Sequence, residues 1–72
     1  MVNTSRLKGA IVERETTQES LAVEIGMNRT TFYRKMKDGG KSFTIGEVQR
    51  IVKALKLSNE EAIFIFFNDE VA

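Results

Sequence analysis

The sequence contains no cysteine, no histidine and no proline. The missing cysteines exclude disulfides and thiolate chemistry, and the joint absence of cysteine and histidine excludes the usual zinc sites. The commonest general base of enzymes is absent together with histidine. The remaining side chains form no recognisable nucleophile–base pair or paired-carboxylate motif. We therefore expect a protein that is not an enzyme and that binds neither a metal nor another cofactor.

Long apolar runs are also lacking. The longest extends from Ala62 to Phe67, whereas a transmembrane helix needs roughly 20 apolar residues. Nothing after residues 1–6 resembles the apolar core of a signal peptide. Together with the absence of cysteine, these features favour a cytoplasmic location.

The length of 72 residues suits one domain, in which roughly 60% of the surface of the unfolded chain is buried on folding. No repeat, linker or low-complexity segment divides the sequence, so we expect residues 1–72 to form a single all-α domain. Apolar spacing predicts five short helices. The expected ranges are about 6–14, 18–25 and 29–37, followed by helices that open at Thr44-Ile45-Gly46-Glu47 and at Ser58-Asn59-Glu60-Glu61.

Residues suited to begin helices precede the predicted segments. Thr17 and Asn28 are favoured N-caps, and the last two helices each open with a capping box. The helical period then selects the side chains expected to face inward. These are Leu7, Ala10, Ile11, Leu21, Ala22, Ile25, Phe32, Met36, Ile45, Val48, Ile51, Val52, Leu55, Ile63, Phe66 and Phe67.

The second and third predicted helices, at about residues 18–37, form the most informative segment. A small residue at Ala22 allows close approach, Gly26 allows a left-handed turn, and Phe32 packs back into the corner. This arrangement would project the third helix outward, so that it could enter the major groove of DNA. The side chains not needed for the core, which it would present, are Arg29, Thr30, Tyr33, Arg34 and Lys37.

The charges are unevenly distributed although the net charge is only +1. Residues 29–41 hold five basic side chains and one acidic one, whereas residues 58–72 hold four acidic side chains and no basic one. A local basic face is typical of a phosphate-binding surface. The competing interpretation is that these charges only solvate helix faces.

Three stretches, Thr17–Ala22, Ile25–Phe32 and Leu55–Glu61, together resemble the Cro/repressor-type helix-turn-helix family of temperate bacteriophages. The resemblance covers about residues 5–68. It implies a five-helix, lambda-repressor-like DNA-binding domain, and a transcription regulator of a phage lysis–lysogeny switch in a bacterial host. The DNA-binding residues that it implies are Gln18, Asn28, Arg29, Thr30, Thr31, Tyr33, Arg34, Lys37 and Lys41.

The sequence departs from the family at two places. Lys35 stands where an apolar residue is usual, which leaves Met36 as the apparent apolar anchor of the third helix. Glu15 or Thr16 replaces a glycine often found before the second helix. Two assignments also have structural alternatives, because Gln18 suits helix capping and Tyr33 suits packing on the following loop. The Gly39-Gly40 pair lacks the context of a P-loop and is interpreted as a connector.

The fifth predicted helix is apolar on every side from Ala62 to Phe67. If one face packs on the core, we expect Phe64 and Ile65 to point elsewhere and to form a partner interface, unless the first and fourth helices cover them. The partner would be a second copy of the chain, since dimers read paired half-sites about 34 Å apart, or a phage repressor protein. The second case gives the alternative function, a modulator or antirepressor that acts through protein contact, with or without DNA.

Overall fold

A computed structural model describes residues 2–67 of the chain. This range is all-helical and contains five α-helices without a strand, as predicted. No helix within it combines the length and the apolar character needed to cross a bilayer. The helices are α1 (Thr4–Glu13), α2 (Gln18–Glu24), α3 (Arg29–Lys37), α4 (Ile45–Leu55) and α5 (Asn59–Phe66).

A polar side chain caps the start of every helix. The predicted caps Thr17 and Asn28 are confirmed, and Thr44 and Ser58 form the two predicted capping boxes. The first helix begins two residues earlier than predicted because Asn3 Oδ1 accepts a hydrogen bond from the backbone N–H of Arg6 at 3.0 Å. These bonds satisfy helix donors that would otherwise have no partner, and they fix the helix starts locally.

One apolar core joins the five helices. The α2 helix contacts α1, α3 and α4, while α1 also packs against α5. The N-terminal segment is tied to α5 by a hydrogen bond from the backbone N–H of Asn3 to the carbonyl of Ile65. The buried apolar side chains are Leu7, Ala10, Ile11, Leu21, Ala22, Ile25, Phe32, Met36, Ile51, Leu55, Leu57, Ile65 and Phe66.

The loop after α3 depends on glycine at Gly40. This residue has φ +78°, and a Cβ built on it would lie only 2.5 Å from the Cβ of Val2. Asp38 closes the same loop by accepting hydrogen bonds from the backbone N–H groups of Gly40 and Lys41. The glycine pair therefore acts as the predicted connector and lets the N-terminal segment pass close to the end of α3.

The prediction of which α5 side chains face the core is largely wrong. Phe66 is buried as expected, but Ile63 and Phe67 are 57% and 63% exposed. Ile65, which we expected in a partner interface, is 4% exposed because it lies in the core beside α1. Phe64 is 51% exposed, as predicted. We call the exposed side chains Ile63, Phe64 and Phe67 the apolar α5 surface.

A second correction concerns the start of α4. Ile45 was expected to face the core but is exposed, because it occupies the first position of the helix and lies beyond the packed layer. The following positions of the same face behave as predicted, since Ile51 and Leu55 are buried and Val48 and Val52 pack partly against the core.

Candidate nucleic-acid interface

A tight turn joins α2 to α3. Gly26 adopts φ +75°, the left-handed conformation expected for glycine at that position. The backbone N–H of Met27 donates to the carbonyl of Ala22 at 2.8 Å, which closes the end of α2. Ala22 and Phe32 are fully buried where the two helices meet. The corner therefore has the internal contacts that the sequence predicted.

The α3 helix has two chemically different faces. Its buried residues are Phe32, Lys35 and Met36, which match the spacing of one side of a helix. The other exposed positions of the helix carry polar and charged side chains, and these are Arg29, Thr30, Tyr33, Arg34 and Lys37. We call these five residues the α3 outer face.

Lys35 belongs to the inner side of α3 and not to its basic surface. Its Nζ lies 2.7 and 2.9 Å from the two carboxylate oxygens of Glu47 on α4, and 5.9 Å from the centre of the Phe43 ring. The Lys35 and Glu47 side chains are only 11% and 18% exposed. The pair anchors α3 beside Met36 and explains how a lysine can occupy a position on the buried side of this helix.

Glu47 also completes the capping box of α4, because its Oε1 accepts the backbone N–H of Thr44 at 2.9 Å. Burial alone would raise the pKa of this carboxyl, but the hydrogen bonds from Lys35 and Thr44 outweigh it and hold the pKa below its ordinary value. Glu47 is therefore ionised at neutral pH, and it joins the start of α4 to the inner side of α3.

Arg29 begins α3 and forms an ion pair with Glu19 in the first turn of α2. Both side chains remain largely exposed, at 63% and 51%. The hydrogen bond from Arg29 to the Glu19 carboxylate, and the charge of that carboxylate, raise the pKa of Arg29 above its ordinary value. The guanidinium is thus held at the surface of the corner by a residue on the preceding helix.

The other cations of this region are exposed and differently placed. Arg34 and Lys37 lie on the last turns of α3, and Lys41 follows in the loop. Between residues 2 and 67, no ion pair involves these three side chains. Cations near a helix C-terminus also interact favourably with the helix dipole, so part of this charge has a structural role within α3.

The remaining predicted contact residues are distributed around the corner. Asn28 is exposed and caps α3 by accepting the backbone N–H of Thr30 at 2.8 Å. Gln18 and Thr31 are half-buried, and Gln18 does not cap α2, because Thr17 does so. The Tyr33 ring is 45% exposed. Of the predicted residues, Lys41 is the one that lies outside α2, α3 and the turn between them.

Two acidic residues were not predicted as part of this site. Glu19 and Glu47 each bind a cation of α3, one on the outer and one on the inner side. The sequence held a weak signal for both, since each stands in the first turn of a capped helix, but the partner of each depends on how the helices pack.

Comparison of the chain with protein-family models, with curated proteins and with solved structures gives no match.

Proposed function

We propose that the protein is a sequence-specific regulator of transcription that binds double-stranded DNA through a helix-turn-helix formed by α2 and α3. The observation that carries the proposal is the α3 outer face, an exposed stripe of arginine, lysine, threonine and tyrosine on a helix whose other side is buried. The resemblance of residues 17–32 to the Cro/repressor-type family supports the same function.

The size and position of α3 suit the major groove. An α-helix with its side chains is about 10–12 Å in diameter, and the major groove is about 12 Å wide. The nine residues of α3 would extend about 13 Å along the groove at roughly 1.5 Å per residue. Arg29 and Thr30 stand at the N-terminal end, where recognition helices of this type meet base edges. We propose that Arg29 reads a base, and that Thr30 and Tyr33 contact bases or phosphates beside it.

The remaining cations suit phosphate contacts. Arg34, Lys37 and Lys41 are exposed and lie within one end of α3 and its following loop. Phosphate contacts fix the position of a protein on the duplex and make binding depend steeply on salt. Gln18, Asn28 and Thr31 at the other end of the corner are proposed to hold the helix against the backbone.

The experiment begins with selection of duplexes from a randomised library by the full chain. We expect one sequence to be enriched and to bind with a Kd in the nanomolar range at low salt. Arg34→Ala combined with Lys37→Ala should weaken binding to every duplex by about 100-fold and reduce the salt slope by roughly 2.

Lys53→Ala is the matched control, because Lys53 is an exposed cation on α4 outside the corner. Its affinity should stay within about twofold of the unchanged chain, as expected for a surface charge away from the contact region. No enrichment of any sequence, together with no binding at low salt, would overturn the proposal.

The apolar α5 surface favours a second candidate function, regulation through protein contact. Three large apolar side chains stand exposed on one short helix, and Arg6 places its guanidinium 4.9 Å from the centre of the Phe64 ring. Such a patch is typical of a protein interface. The partner would be a repressor protein or a second copy of the chain.

Calorimetry separates these possibilities from DNA binding. Titration of the chain against a phage repressor protein should show binding at micromolar concentrations that Phe64→Ser removes, while duplex binding is unchanged. Sedimentation of the chain alone reports self-association through the same surface. Absence of both interactions would leave the apolar α5 surface without this role.

A further inference from the structure

The Glu19–Arg29 ion pair crosses the corner between α2 and α3. The two residues are ten positions apart in the chain, and each stands in the first turn of its helix. Both side chains are largely exposed, so burial does not force the contact. Glu19 is also an acidic residue next to the α3 outer face, whose charged side chains besides Arg29 are Arg34 and Lys37, both cationic.

The pair occupies only part of the arginine. A guanidinium has five N–H donors in a planar fork, and the bond to Glu19 is made by Nη1. No hydrogen bond from Nε or Nη2 is present within residues 2–67. These two nitrogens form one edge of the guanidinium, and such an edge can bind two acceptors at once, as it does with the O6 and N7 atoms of guanine.

A carboxylate at this place lowers the affinity for the DNA backbone. It repels phosphates, and it competes with them for the Nη1 donor of Arg29. An arginine without such a partner can swing to any nearby phosphate, where it adds affinity but reads no sequence. When Arg29 cannot swing to a phosphate, its guanidinium still offers the Nε–Nη2 edge, which is suited to a base.

We propose that Glu19 is a positioning residue that gives the DNA interface its sequence selectivity, by holding Arg29 away from phosphates and presenting its Nε–Nη2 edge to a guanine. The inference rests on the proposed function and assigns the selectivity to a specific pair of residues. Glu19 touches Arg29 and need not touch DNA.

The test compares two duplexes, the one enriched from the randomised library and a scrambled duplex of the same composition. Glu19→Gln keeps the shape of the side chain and removes its charge. We expect this variant to bind the scrambled duplex more tightly, with a salt slope steeper by roughly 0.9, because Arg29 gains a phosphate. The ratio of the two affinities should fall about tenfold, within the range expected for loss of one bidentate base contact.

Two further variants separate positioning from a simple change in charge. Glu24→Gln removes the same charge from the other end of α2, where Glu24 is exposed, and should leave the affinity ratio within about twofold. Arg29→Ala should reduce the ratio as Glu19→Gln does. The double variant should lose no more than Arg29→Ala alone, because the two residues act as one unit.

The outcomes distinguish this inference from the function on which it rests. If the unchanged chain selects a sequence but Glu19→Gln tightens binding to both duplexes by the same factor, Glu19 only contributes charge and the inference is overturned. Additive losses in the double variant overturn it as well. If the unchanged chain selects no sequence, the proposed function fails and this inference fails with it.

Discussion

The helices α3 and α5 are similar in length but expose opposite chemistry. Each has a buried side that contributes to the common core, with Phe32 and Met36 on α3 and Ile65 and Phe66 on α5. The exposed side of α3 is cationic and polar, whereas the exposed side chains after the first turn of α5 are apolar. The same scaffold therefore offers one surface suited to a polyanion and another suited to a protein.

The largest expected effect tests which residues of α5 belong to the core. Phe66 is 4% exposed and its neighbour Phe67 is 63% exposed. Phe66→Ala should lower the free energy of unfolding by about 3 kcal/mol, because it leaves a cavity in the core. Phe67→Ala should change it by less than about 0.5 kcal/mol. Urea denaturation of both variants provides the measurement, and equal losses would contradict the assigned face of α5.

The next effect concerns how α3 is attached. Lys35→Met leaves the Glu47 carboxylate without its cation in a largely buried place, and we expect a loss of about 2 kcal/mol. Adding Glu47→Gln should recover most of that loss, since glutamine still accepts the N–H of Thr44. Denaturation of the two single variants and the double variant completes the cycle. If the loss of stability in the double variant equals the sum of the losses in the two single variants, Lys35 and Glu47 do not act as a pair.

Acid should weaken this attachment. The pKa of Glu47 lies below its ordinary value of 4.5 in the folded chain. A lowered pKa means that the stabilisation is fully present above the pKa of the unfolded chain and is lost as pH falls through the lower, folded pKa. As the pH falls below about 5, the unchanged chain should therefore lose more stability than Glu47→Gln. Parallel acid dependence in the two proteins would show that Glu47 carries no such linkage.

The smallest expected effect concerns two residues in the loops that precede α2 and α5. Glu15 before α2 and Lys56 before α5 both have positive φ, at 58° and 53°. Glycine avoids the steric cost of this conformation but adds freedom to the unfolded chain, so each change to glycine should stabilise by about 0.5 kcal/mol. Thermal denaturation measures it, and Glu13→Gly within α1 is the control that should destabilise.

Sequence reasoning succeeded where local signals decided the structure. The bounds of α3 were predicted without error because Asn28 caps its start and the Asp38-Gly39-Gly40 loop follows its end. The glycine missing before α2 leaves Glu15 in the left-handed conformation that glycine would favour. Side-chain caps and turns act over a few residues, so a single sequence carries them completely.

Sequence reasoning failed where packing between distant segments decided which side chains are buried and which are paired. Residues 62–67 are apolar on every side, so their pattern contains no contrast that selects the buried face. Contact with α1 and with the N-terminal segment made that choice and buried Ile65. The partners of Lys35 and Arg29 were missed for the same reason, because Glu47 and Glu19 reach them from other helices.

The most direct test of the proposed DNA interface is a nuclear magnetic resonance titration of the full chain with the duplex enriched by selection. We expect the largest shifts at the backbone amides of residues 28–37 and at the Arg29 side chain, with little change at Ile63, Phe64 and Phe67. Shifts concentrated on α5, with α3 unchanged, would contradict the assignment of DNA binding to the α3 outer face.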